Sequence, residues 1–169
     1  MPIEHWLVAL GARQGDAALD WAARRAGGRA ALEVIASGLE IPDPRAEVLH
    51  AAACLNASCP RVPRALHVVP RSLADEFAQR DGVDLVVLGT PSGRLTAIET
   101  NRVLGLIRVC RSPVVLVPGA GSGAAEPREI VWPATGRRPP VALRDAVRDG
   151  RDALRVVRTS GAEARPPAR

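Results

Sequence analysis

Residues 83–118 constrain the fold of this chain more than any other stretch. They read in unbroken succession as a strand, VDLVVLGT, a short loop, PSGR, a helix, and a second strand, SPVVLVP. Strand positions from Asp84 to Leu88 and from Val114 to Val117 are almost wholly apolar, the pattern of parallel strands covered by helices on both faces. Between them, Thr96-Ala-Ile-Glu99 has the spacing of a capping box. Val103, Leu106, Ile107 and Cys110 then fall at i, i+3, i+4 and i+7, one face of a helix. A polar, glycine-containing loop therefore sits where a buried strand ends and a helix begins, the usual ligand crevice of an open α/β sheet.

The rest of the chain repeats this alternation. A first strand is predicted over His5–Leu10, followed by a helix capped by Asp16 and stopped by Gly27-Gly28. Ala31–Ala36 is a second strand. Asp43-Pro44 supplies a cap and a first-position proline for a helix reaching Leu55. Ala65–Val69 is a third strand, and Ser72-Leu-Ala-Asp75 opens a third helix that ends near Gly82. Five strands alternating with four helices predict a parallel sheet with right-handed crossovers.

At 169 residues the chain is long enough for one domain with a real core. Apolar residues make up 47% and aromatics only 2%, so Val, Leu, Ile and Ala must build that core. All 23 basic residues are Arg, and they are unevenly placed: residues 1–118 carry a net +1, residues 119–169 a net +4. The basic tail lacks interleaved aromatics and a recognition-helix pattern, so it reads as solvated rather than as a nucleic-acid arm. No segment approaches the roughly 18 apolar residues of a membrane span. MPIEHW shows no secretion signal, and Cys54, Cys59 and Cys110 form an odd set of free thiols, so a cytoplasmic location is expected.

Beyond Pro118 the texture changes. Residues 119–127 read as a flexible linker. REIVW then reads as a strand, 140–147 as a helix and ALRVVR as another strand. Gly28–Ser37 and Gly150–Thr159 share five identities in ten, and Leu7-Val8 parallels Ile130-Val131. Residues 128–159 are thus read as a truncated second copy of the opening strand–helix–strand unit, with 160–169 a disordered tail. Such a unit cannot bury its own apolar face, so it is expected either to dock on the first domain or to stay partly disordered.

DLVVLGT, Gly93 and SPVVLVP together resemble the C-terminal signature of the universal stress protein family, which belongs to a larger group of adenine-nucleotide-binding α/β folds. LVALGARQGDAALDWAARRA resembles the first strand, loop and helix of that family. The likeness covers roughly residues 5–118. It implies a Rossmann-like five-stranded parallel sheet in the order 3-2-1-4-5 with helices on both faces, to which the echo over residues 128–159 adds a short C-terminal β-α-β appendage. It also implies a homodimer through the edge strand Val114–Val117, unless the appendage caps that edge.

The resemblance points to a nucleotide site as well. In nucleotide-binding members a motif G-x-x-G, nine residues, then G-S or G-T holds the phosphates, because glycine lets the backbone approach closely. Gly89-Thr90-Pro-Ser92 keeps the first glycine and puts serine at the second, with Gly93 one residue late. Thr100-Asn101 stand where the final G-S belongs. Leu10-Gly11-Ala12 replaces the acidic residue that follows the first strand. Gly11, Gly89, Thr90, Ser92, Gly93, Thr100 and Asn101 are therefore the candidate anion or nucleotide site, with Arg94 beside the loop, and the site is expected to be degenerate, crowded and poor in acidic groups. The reading is a non-catalytic stress-response or regulatory module with no required cofactor, acting through dimerisation or a protein partner. Its rival is an ATP or adenine-nucleotide switch, or weak ATPase, using the Gly89–Gly93 loop.

Other chemistry has less behind it. There is no G-x-x-x-x-G-K-[ST] loop, no G-x-G-x-x-G and no G-x-S-x-G elbow, and no catalytic residue is assigned. His5 and His67 fall at or inside strands as packed or surface side chains. His50, Cys54 and Cys59 lie within ten residues, but their spacing matches no zinc pattern and no metal is assigned. Trp6 and Trp21 are read as packing, and Cys110 as core.

Overall fold

The computed structural model describes residues 3–11, 15–90, 96–119, 128–133 and 152–157. Its elements are β1 (Glu4–Leu10), α1 (Gly15–Ala26), β2 (Ala30–Ser37), α2 (Pro44–Ser58), β3 (Arg64–Val69), α3 (Leu73–Gln79), β4 (Leu85–Thr90), α4 (Ala97–Val109), β5 (Val114–Pro118), β6 (Arg128–Pro133) and β7 (Asp152–Val157). The first five strands are parallel and lie in the order 3-2-1-4-5, with the four helices around them. This is the α/β Rossmann-like arrangement expected, the parallel sheet from the alternation and its strand order from the family resemblance. The predicted linker beyond Gly119, the helix over 140–147 and the tail over 160–169 lie outside the described residues.

Local chemistry explains where the helices start and stop. Asp43 accepts a hydrogen bond from the Ala46 amide, with Pro44 at the first helical position of α2. Ser72 caps α3 by accepting from the Asp75 amide. α1 begins one residue earlier than its sequence signal, so Asp16 sits in the first turn rather than at the cap. It ends at Gly27 and Gly28, whose φ angles of 46° and 80° suit a residue without Cβ. α3 stops at Gln79, short of the predicted Gly82. Gly82 instead makes the left-handed turn into β4, with φ 78°.

Strand alternation sorts apolar side chains into two cores, one on each face of the sheet. Trp6, Val8, Leu32, Val34 and Val87 point to α1 and α2, where Leu19, Trp21 and Leu55 are buried among them. Leu7, Ala9, Ile35, Val86 and Leu88 point the other way, against Leu73, Phe77, Leu106 and Ile107 of α3 and α4. Trp6 and Trp21 stack with centroids 5.9 Å apart, so both are packing residues as expected. Cys110 is also core, at the C-cap of α4, and burial pushes its thiol up to about 11 despite an opposing hydrogen bond at the Ser112 backbone.

The sheet continues past β5. β6 pairs antiparallel with it, Val114 opposite Val131 and Val115 opposite Ile130, and β7 runs parallel to β6. Leu32 pairs with Trp6 in the opening unit, whereas Leu154 pairs with Ile130. Ile130 thus stands where Trp6 does, one residue away from the Leu7 position that the sequence echo implies.

Candidate functional site

The strand order reverses direction between β1 and β4: the chain builds outward from β1 through β2 to β3, then returns to the other side. Loops leaving the carboxyl ends of two such strands diverge, and a crevice opens between them. In this protein Ala9 and Gly11 at the end of β1 and Leu88 and Gly89 at the end of β4 form the floor of a cleft of about 250 Å³. Leu73 of α3 and Val103 and Leu106 of α4 wall it. Such a volume lies below the roughly 300–1,000 Å³ common for ligand clefts.

Of the residues singled out by sequence, Gly11 and Gly89 line this cleft. Thr90 is buried, and its carbonyl accepts a 2.8 Å hydrogen bond from the Gly119 amide, tying the end of β4 to the exit of β5. Ser92, Gly93 and Arg94 lie outside the described residues. Thr100 and Asn101 fall in the second turn of α4, past its first amides, and are not among the cleft-lining residues.

The expectation of a cleft poor in acidic groups is corrected by the fold. No acidic residue follows β1, but two carboxylates arrive from other elements, Glu40 from the turn after β2 and Glu99 from the first turn of α4. Glu40 is held from two sides. One oxygen accepts from the Leu73 amide at 2.8 Å, capping the start of α3, and the other pairs with Arg102 of α4. Among the described residues, the cation lining the cleft is Arg102, and it is matched to a carboxylate within the chain.

Glu99 belongs to a complete capping box. The Thr96 hydroxyl accepts from the Glu99 amide at 3.2 Å, and the Glu99 carboxylate accepts from the Thr96 amide at 2.7 Å. The Thr96 backbone and hydroxyl hold the Glu99 carboxyl below its usual value, so it is firmly ionised. A helix N-terminus attracts anions because its first amides are unpaired and its dipole end is positive. At α4 the chain's own carboxylate accepts from the Thr96 amide, and the Thr96 hydroxyl accepts from the Glu99 amide.

The fold is shared with a universal stress protein. The structure of a universal stress protein from Archaeoglobus fulgidus superposes with a TM-score of 0.53 at 13% identity, covering 69% of this chain and 99% of that one. No protein-family model matches the sequence, and no curated protein matches it. Among the described residues no helix is long and apolar enough to cross a membrane.

The strand histidines belong to an ion cluster rather than to the cleft. On the α3 side of the sheet, Glu33 of β2 takes His5 of β1 at 3.0 Å, His67 of β3 at 2.6 Å, and Arg80 beyond α3. Arg80 also reaches Glu76 at 3.2 Å. Burial would raise the Glu33 carboxyl, but hydrogen bonds and charge from Arg80 and His67 outweigh it and hold the group below its usual value. Glu40 with Arg102, 62 positions apart, and Glu33 with His67, 34 apart, left no local pattern in the sequence.

Proposed function

We propose that this chain is a universal-stress-protein-like module of the stress response or its regulation, non-catalytic and working through partner contacts. The likeness of fold supports the class. The observation that carries the non-nucleotide part of the reading is the occupied N-terminus of α4. The Glu99 carboxylate sits on the Thr96 amide at the start of α4, where its charge repels a phosphate, and Glu40 neutralises Arg102 nearby. A triphosphate entering this cleft would meet two carboxylates and displace one ion pair before making its first contact.

Titration calorimetry with ATP, ADP and AMP tests this. Saturable ATP binding tighter than about 100 μM, equivalent to roughly 5.5 kcal/mol, and lost in Gly89→Asp, overturns the reading in favour of a nucleotide switch or weak ATPase. That second reading draws on the apolar wall of Leu73, Leu88 and Leu106, which suits a flat ring system. Under the first reading Glu99→Gln improves ATP binding over the parent protein, since it removes the built-in anion.

This reading puts partner contact away from Val114–Val117. An unpaired strand edge invites a second copy, and in this chain β6 pairs with Val114 and Val115 of that edge. Removal of residues 119–169 is therefore expected to drive self-association, read as a doubled mass by size exclusion with light scattering. An unchanged, soluble monomer counts against edge protection by the appendage.

A further inference from the structure

α2 carries His50 and Cys54 four residues apart, so both side chains project from one helix face. The first turn of α1 brings Asp16 to the same place. A carboxylate oxygen, an imidazole nitrogen and a thiol sulfur then lie within 4.8 Å of one another. Asp16 and His50 are well exposed, so the cluster opens to solvent.

Two distances carry the argument. Asp16 Oδ1 is 3.0 Å from His50 Nε2, and Cys54 Sγ is 3.6 Å from the same nitrogen. With ordinary zinc bond lengths, a tetrahedral ion holds its nitrogen and oxygen ligands about 3.3 Å apart and its nitrogen and sulfur ligands about 3.6 Å apart. Both pairs therefore stand within a few tenths of an ångström of coordination spacing. Oxygen and sulfur also converge on one ring nitrogen. A Cys–His–Asp nucleophilic relay instead needs its acid on the other nitrogen, Nδ1.

We propose that Asp16, His50 and Cys54 form a binding site for a borderline-soft divalent cation of the zinc class, with water as the fourth ligand. A mixed oxygen, nitrogen and sulfur set favours such an ion over magnesium or calcium, which take oxygen ligands. On binding, the thiol proton leaves to solvent and a sulfur–metal bond forms, with no change of oxidation state. The ion ties the start of α1 to the middle of α2. Sequence spacing alone could not show this site: His50, Cys54 and Cys59 fit no pattern, and the third ligand comes from a residue 34 positions upstream. Cys59, at the C-cap of α2, is not a member.

Reduced, metal-free, full-length protein titrated with Co²⁺ tests the site. One equivalent is expected to give the visible bands of a tetrahedral ion and a thiolate-to-cobalt charge-transfer band, both bleached by Zn²⁺. Cys54→Ser abolishes the charge-transfer band. His50→Ala and Asp16→Asn each weaken Co²⁺ binding by at least about tenfold, since even outer-shell partners of metal ligands contribute that much. Cys59→Ser leaves both bands intact. Circular dichroism checks that each variant is folded. A purely octahedral spectrum without charge transfer overturns the proposal. So does loss of the band in Cys59→Ser together with unchanged affinity in Asp16→Asn.

Discussion

On the α1/α2 face of the sheet, Trp6 stacks on Trp21 within a core that also takes Leu19, Leu32 and Leu55. Among the described residues, the aromatic of the α3/α4 cluster is Phe77, the chain's one phenylalanine, and that buried cluster is smaller. The polar groups reverse this order. Glu33 with Arg80 and two histidines, Glu40 with Arg102 and the Leu73 amide, and Thr96 with Glu99 pair on the α3/α4 side, although Arg80 Nε there is buried with no acceptor among the described residues. Across the sheet, the Trp21 indole N–H is buried with no acceptor, and Asp16, His50 and Cys54 meet only at the surface. One face rests on apolar bulk and the other on paired charge, so heat, acid and salt should act on them unequally.

The largest expected effect comes from the aromatic side. Trp6→Ala removes a fully buried ring and its stacking partner's contact, and should cost about 4–5 kcal/mol, the upper part of the range for such truncations. Phe77→Ala, on the short helix α3, should cost about 3 kcal/mol. Urea unfolding of both measures the difference, and a greater loss in Phe77→Ala breaks the comparison.

Acid comes next. The folded state holds the Glu33 carboxyl below its unfolded value, so its contribution is complete above the ordinary carboxylate range and is lost as pH falls through the folded value. Urea midpoints measured from neutral pH downward should therefore fall more steeply in the parent protein than in Glu33→Gln. Equal slopes would show that the cluster of Glu33, His5, His67, Arg80 and Glu76 contributes nothing to the pH dependence.

Smallest are the caps. Thr96→Ala and Ser72→Ala each remove a side-chain acceptor from a helix start and should cost about 1 kcal/mol apiece. Both lie on the charged face, so their near-equality in urea titrations sharpens the picture of that face as a sum of modest polar contributions. A Thr96→Ala loss well above that value would mean that the capping box also sets the position of the cleft wall.

Much of the frame was legible in residue order. Asp43-Pro44, Ser72 and the Thr96–Glu99 pair announced their helices because a cap is a contract between neighbours three residues apart. The apolar runs at 85–88 and 114–117 announced buried parallel strands, and REIVW and ALRVVR announced β6 and β7. Gly11 and Gly89 line the cleft because they stand at the carboxyl ends of β1 and β4, on either side of the switch point in the strand order that the family likeness implied. Thr100 and Asn101, counted into the site from the family motif, fall in α4 beyond the Thr96–Glu99 capping box and do not line the cleft.

Sequence by itself settled the elements, their alternation and the occupied first turn of α4, since each depends on hydrogen bonds and apolar spacing within a few residues. Tertiary structure alone decided which side chains meet: Glu40 with Arg102 across 62 positions, Glu33 with His67 and Asp16 with His50 across 34, and the antiparallel docking of β6 on β5. Such meetings depend on register and helix placement. A slip of one residue turns every side chain of a strand to the opposite face, and no local pattern records which register the completed sheet will choose.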